Sequence, residues 1–203
     1  MPDRPLYKLW TSVGDWRQRG LSLIELIAAV AVSSILLGMA LPTMTGLYQQ
    51  QRSITAINQL NLSVQFARHA AVTHGQRVTL CPSADGRHCS GRDQWHLGAI
   101  AFLDSNNNGQ RDDGEVLLRA FPPLANGGRV YWRSFRNRSY LQMKPNGFTH
   151  WQNGSFLYCP PNGDARLARI LIINAQGRAR PAQQRNSDGI VLDARGRPVQ
   201  CPG

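Results

Sequence analysis

The chain has 203 residues, 42% of them hydrophobic, and its 23 Lys and Arg against 12 Asp and Glu give a formal net charge of +11. That length holds one sizeable domain plus an appendage, and the sequence shows no internal repeat or low-complexity tract, which excludes solenoid and disordered architectures. The charge is uneven: from Val116 onward 13 Lys and Arg stand against three Asp, a surplus suited to an anionic partner such as nucleic acid or a lipid surface.

Residues 1–20 carry Arg4, Lys8, Arg17 and Arg19 against Asp3 and Asp15, and the apolar run Leu21–Leu41 follows. The run has the roughly 20 residues that a membrane-spanning helix needs, and its basic flank predicts a cytoplasmic N-terminus with the remainder in the periplasm. A secretory signal would place a small-residue cleavage site after its apolar core. Here the Arg19–Gly20 junction precedes the core. Glu25 is the lone charge between Leu21 and Gln51, and a carboxylate at a bilayer centre costs about 2.5–3.5 kcal/mol on insertion scales. It therefore requires a cationic partner.

These residues resemble the class III signal of type IV prepilins and pseudopilins. The resemblance implies that a prepilin peptidase cuts after Gly20 and methylates the amine of Leu21. It also implies that Glu25 neutralises the N-terminal amine of a neighbouring subunit in a filament, and that Pro42 is a helix-kinking proline. Two features depart from the pattern: Leu21 stands where Phe is usual, and the leader is longer than in type IVa pilins.

Past Pro42 and Gly46, Ile57, Leu60, Val64, Ala67 and Ala71 recur at steps of three and four. That spacing predicts an amphipathic helix that continues until Gly75 stops it, broken or bent near Pro42 and Gly46. The chain then divides into a leader (1–20), a transmembrane or filament-core helix (21–42), the amphipathic half of the helix (43–75) and a β-rich domain with a basic tail (76–203). In the last part QRVTLCP, LGAIAFL, EVLLRAF, RVYWRSF, SFLYC and LARILIINAQ are β-branched or aromatic runs separated by Gly, Asn, Asp and Pro clusters. They predict an antiparallel meander and no second long helix, hence an α+β fold.

Over this region the chain resembles the GspH/FimT group of minor pilins and pseudopilins. The matching stretches are LCPSADGRHCSGRDQWHLGAIAFLDSNNNGQRDDGEVLLRAF, KPNGF, NGSFLYC and LIINAQGRAR. The resemblance implies a type IV pilin-like fold, assembly with other pilins, and residence in the bacterial inner membrane before incorporation into a pilus at the cell surface.

Four cysteines admit three pairings. In a periplasmic setting Cys81–Cys89, closing a short loop, and Cys159–Cys201, tying the tail to the sheet, are the favoured pair. A zinc set of Cys81, His88, Cys89 and His96 is the rival, with a spacing unlike familiar structural-zinc patterns. Asp104 to Glu115, DSNNNGQRDDGE, fits the calcium-loop pattern D-x-[DN]-x-[DN]-G-x5-E, with Asp104, Asn106, Asn108, Asp112 and Glu115 as ligands. Its flanks are strand-like where an EF-hand has helices, so a metal-free hairpin turn built on Asn and Gly competes with a calcium-holding one. Calcium is the one cofactor the pattern admits.

Gly177 to Arg180, GRAR, follows the last strand-like run, and RGR recurs at Arg195–Arg197. In FimT-like members a Gly-Arg-x-Arg motif is associated with DNA binding during natural transformation. The resemblance thus implies DNA as a partner of Gly177, Arg178 and Arg180, with Arg185, Arg195, Arg197 and Lys144 as secondary contacts. Alternate residues of an extended segment share a face, so both arginines can engage phosphates; a solvated turn is the plain alternative. VYWRSFRNRSY interleaves Arg133, Arg136 and Arg138 with aromatic residues, a pattern that stacks bases but that a half-buried strand also shows. The five histidines form no H-E-x-x-H, and no nucleophile elbow or P-loop is present, so the expected role is not enzymatic. The function expected is a minor pilin that supports pilus assembly and binds DNA for uptake. A type II secretion pseudopilin and a purely structural priming subunit share the same leader and helix.

Overall fold

The computed structural model describes residues 22–124 and 127–202, apart from the side chains at 39–43, 92 and 93. Gly20 and Leu21, on which cleavage and methylation are expected to fall, lie outside the described residues. Of the break or bend expected near Pro42 and Gly46 the break does not occur: helix α1 runs Leu23–His74 as one element through both. A proline removes one backbone donor without necessarily ending a helix.

The chain divides into two compact units after Met44. In the first, Leu23, Ile24, Ile27, Val30 and Leu36 are exposed. The hydroxyls of Ser33 and Ser34 donate to the carbonyls of Ala29 (2.7 Å) and Val30 (2.8 Å), which satisfies both within the helix. Glu25 sits exposed in the first turn. Among the described residues no helix is long and apolar enough to cross a membrane. The run Leu21–Leu41 is only partly described, since Leu21 and the side chains at 39–41 fall outside.

In the second unit Ile57, Leu60, Val64, Ala67 and Ala71 are all buried, as their spacing predicts. Gly75 ends α1 at φ +61°, a left-handed angle that glycine adopts without penalty. The strands are β1 (Val78–Pro82), β2 (Ala99–Leu103), β3 (Leu117–Phe121), β4 (Arg129–Ser134), β5 (Leu141–Met143), β6 (Gly154–Cys159), β7 (Arg169–Ile173) and β8 (Ala179–Pro181). Every pairing is antiparallel, but the strands form two sheets, β3-β2-β1-β5 and β4-β6-β7-β8, where one meander is expected. The chain leaves the first sheet for β4, returns for β5 and leaves again. β5 and β8 have no counterpart among the predicted runs; three residues each is too short for alternation to register.

Both sheets turn one face to α1. Leu80 and Leu141 of the first and Trp132, Phe156 and Leu171 of the second join the helix in one buried cluster. Each such side chain contributes about 1.5–3 kcal/mol by leaving water. The outer faces are covered by different segments. Over the first, Tyr140 packs with Cys81, Ile100 and Phe102 and lies against Gly109 of the 104–115 loop, where a β-carbon would fall 2.1 Å from the tyrosine ring. Over the second, the tail after β8 brings Ile190, Val191, Val199 and Cys201 onto Leu157, Ile170 and Ile172. Cys81–Cys89 and Cys159–Cys201 are joined, which removes the rival zinc set.

Candidate functional site

The hairpin between β7 and β8 carries the GRAR stretch. The N–H of Asn174 donates to Arg178 O (3.1 Å) and that of Gly177 to Asn174 O (3.0 Å), closing a three-residue loop with Gly177 at φ +71°. Space as well as backbone angle demands glycine there, since a β-carbon would sit 2.2 Å from Gly147 O. The motif is therefore a turn, docked on a second turn at Lys144–Gly147. From α1, Arg68 Nε donates to Gly147 O at 3.2 Å, and the N–H and Oγ1 of Thr149 donate to Ala175 O at 3.0 and 3.2 Å.

The strand register then aligns charges that are far apart in the chain. Arg180 is opposite Ile172, Ile172 opposite Ser155, and Ser155 opposite Arg133. This row lies on the outer face, because Ile172 belongs to the tail-covered cluster whereas Ala179 packs toward the helix. At about 4.8 Å per strand, Arg133 and Arg180 are about 14 Å apart along the row. Arg178, two residues from Arg180, shares its face. Two cavities of 460 and 750 Å³ meet at Ile172 and Ala194; Arg180 lines the first, and Arg133, Arg136 and Arg195 line the second. Arg133, Arg178, Arg180 and Arg195 are exposed, and their guanidinium groups have no hydrogen-bond or ion-pair partner among the described residues.

Residues 56–177 match the family of type II transport protein GspH, and residues 17–41 match the prokaryotic N-terminal methylation motif. The chain belongs to the GspH family. Its fold is similar to that of the type IV minor pilin FimU of Pseudomonas aeruginosa, at 19% identity and TM-score 0.52, over 73% of this chain and 93% of FimU. The minor pseudopilin EpsH from the type 2 secretion system of Vibrio cholerae is also similar, at 10% identity and TM-score 0.45, over 64% of this chain and 95% of EpsH. Among curated proteins none matches. The likeness to FimU supports a pilin-like fold and reaches no further at that identity. The family match ends at Gly177, so Arg178, Arg180 and the whole tail of this GspH-family protein lie beyond the matched region.

Within that tail the other predicted cations are used differently. Arg185 Nη1 donates to Arg166 O at 2.9 Å and to Gly189 O, and Arg197 pairs with Asp193 at 3.2 Å. The backbone N–H of Arg197, with that of Arg195 and the Arg197 guanidinium, holds the Asp193 carboxyl below the usual carboxylate range. Arg185 and Arg197 thus fasten the tail's own turns. Lys144 lies on the docked turn with Nζ 5.7 Å from the Trp151 ring centre. The sequence leaves Arg133 between a base-stacking pattern and a half-buried strand; its alternation with Tyr131 is visible along the chain, but its neighbours across the sheet are not.

The 104–115 loop of the GspH-family protein folds as a hydrogen-bonded turn. Asp104 is buried, and its Oδ2 accepts from Thr79 Oγ1 (2.6 Å), Gln142 Nε2 (2.7 Å) and the Gly109 N–H (3.0 Å), while Oδ1 has no partner. Asp112 Oδ2 accepts from the amides of Asn106 (2.7 Å) and Asn108 (2.6 Å). Glu115 accepts the N–H of Ser105 (2.8 Å) and of Asp112 (3.2 Å). The five residues named as calcium ligands therefore share one loop. Among the described residues no group of three His, Cys, Asp or Glu side chains gathers as a metal set.

Proposed function

We propose that this GspH-family protein is a minor pilin of the type IV pilus whose second sheet presents an arginine face to DNA. In this reading a prepilin peptidase cuts after Gly20 and methylates Leu21. The helix holds the chain in the inner membrane, N-terminus cytoplasmic and β domain periplasmic, until Glu25 meets the amine of a neighbouring subunit. The match of residues 17–41 to the methylation motif supports the processing. The apolar side chains exposed on the first unit, which require lipid or other subunits as cover, support membrane residence and assembly.

The DNA reading rests on one observation: the guanidinium groups of Arg133, Arg180 and Arg195 around one pair of joined cavities, and that of Arg178 on the adjoining turn, have no partner among the described residues. Arginine forks bind phosphate oxygens bidentately, and such contacts are salt-sensitive and independent of sequence. The full chain in non-ionic detergent micelles is expected to retard duplex DNA in a gel. Arg178→Ala combined with Arg180→Ala should weaken binding about tenfold and lower the slope of log affinity against log salt by about 2. Full affinity in the double variant would falsify the DNA reading. A deletion strain scored for piliation, DNA uptake and protein export tests the assignment to the pilus; loss of export alone would place the protein in type II secretion.

A further inference from the structure

A second basic cavity, of 340 Å³, lies beyond Arg136, which lines both it and the larger of the two joined cavities. Its wall includes Arg77, Arg138, His150 and Trp151 and no Asp or Glu. Arg77 is set from below: its Nη1 donates to Oε1 of Gln142 (3.3 Å) and to Nδ1 of His150 (2.8 Å). Gln142, 1% exposed, is itself held by Thr79 Oγ1 (3.0 Å) and Asp104 Oδ2 (2.7 Å). An Nδ1 that accepts belongs to a neutral imidazole. Burial, then the charges of Arg77, Lys144, Arg136 and Arg138, hold His150 below its usual range.

Arg77, Arg136 and Arg138 thus line one wall without a carboxylate, an arrangement that repels itself until an anion enters. Arg138 is exposed and its guanidinium has no hydrogen-bond partner among the described residues. Trp151, 57% exposed, has Arg136 and Lys144 each 5.7 Å from its ring centre. Arg136, Asn137 and Trp151 take positive φ angles of 63°, 53° and 62°. Non-glycine residues hold such angles at a cost in strain, and they gather where a site is being shaped.

We propose that this cavity takes one unpaired nucleotide of a DNA strand, its phosphate on Arg77 and Arg138 and its base against Trp151, with Arg136 leading the backbone on to the arginine row. The proposal rests on the DNA reading above and adds a preference for single-stranded over duplex DNA. A base held in a duplex must be unstacked before it reaches an aromatic platform, whereas an unpaired one is free to stack.

The test uses the full chain in non-ionic micelles with a fluorescein-labelled oligothymidylate and a duplex of equal length, read by anisotropy. The variants are Arg138→Gln alone and Arg138→Gln with Trp151→Asn, since asparagine tolerates the positive φ at 151. A thermal melt checks that each is folded, and Arg138→Gln decides alone if the pair is not. Strand affinity should fall about tenfold in the pair and duplex affinity by less than about twofold, whereas the Arg178/Arg180 double variant should lower both. Unchanged strand affinity in the pocket variants overturns the inference and leaves the arginine row standing. A wild type that binds neither DNA overturns both readings. An equal loss of heparin binding in the pocket variants would mark an unspecific anion patch and also overturn the inference.

Discussion

The cover of the first sheet is tied by Cys81–Cys89 across eight residues, that of the second by Cys159–Cys201 across 42. Over the first, the charges are largely carboxylates bonded within their own loop or sheet. The backbone N–H of His88, its ring and the N–H of Arg87 hold the Asp85 carboxyl well below the usual range, and Asp104, Asp112 and Glu115 accept donors of their own loop or sheet. Over the second, the charges are largely arginines: the guanidinium groups of Arg185 and Arg197 are tied into the tail, while those of Arg133, Arg178, Arg180 and Arg195 have no partner among the described residues. A charge bonded to its own backbone holds a turn in place. The same kind of charge left without a partner, on a face already closed against water beneath it, is available to a ligand.

The disulfides offer the largest lever on this contrast. In the chain-entropy picture Cys201→Ser should destabilise by about 4 kcal/mol and Cys89→Ser by about 2.5 kcal/mol, because the longer loop loses more freedom when closed. Urea unfolding of the oxidised full chain measures both, and equal losses would erase the difference between the two covers. Next in size are the β7–β8 hairpin turn and a turn of the tail. Gly177→Ala forces a β-carbon against Gly147 O and should lose about 2 kcal/mol, whereas Gly189→Ala, at φ +77° with open space around it, should lose about 1 kcal/mol.

Acid should act on the two classes of group at different pH. His150 has a lowered pKa, so its neutral form contributes stability that is present above about pH 6.5 and is lost as pH falls through the folded value. The carboxyls of Asp85, Asp164 and Asp193 are also lowered, and their contribution is present above about pH 4 and lost below it. The melting midpoint is therefore expected to decline in two stages, and His150→Gln should remove only the first. A single stage near pH 4 would show that the pocket histidine is uncoupled from the fold. The smallest effect is reserved for Arg197→Gln. Its exposed pair with Asp193 should be worth less than about 1 kcal/mol, and DNA affinity should stay within about twofold, in contrast to Arg180→Ala.

Much of this molecule is legible along the chain because the signals are local. The stripe Ile57–Leu60–Val64–Ala67–Ala71 and its stop at Gly75 depend on residues three and four apart, six of the eight strands on runs of five or six, and the methylation motif on the residues around Gly20. The tertiary structure decided how those pieces are shared between two sheets and where the tail lies, because strand register joins segments far apart in sequence. It also decided which arginines are open. Whether Arg180 or Arg197 finds a partner depends on what the folded chain brings beside it, Ile172 in one case and the Asp193 carboxylate in the other. Periodicity is a property of neighbours in sequence, whereas the availability of a charge is a property of neighbours in space.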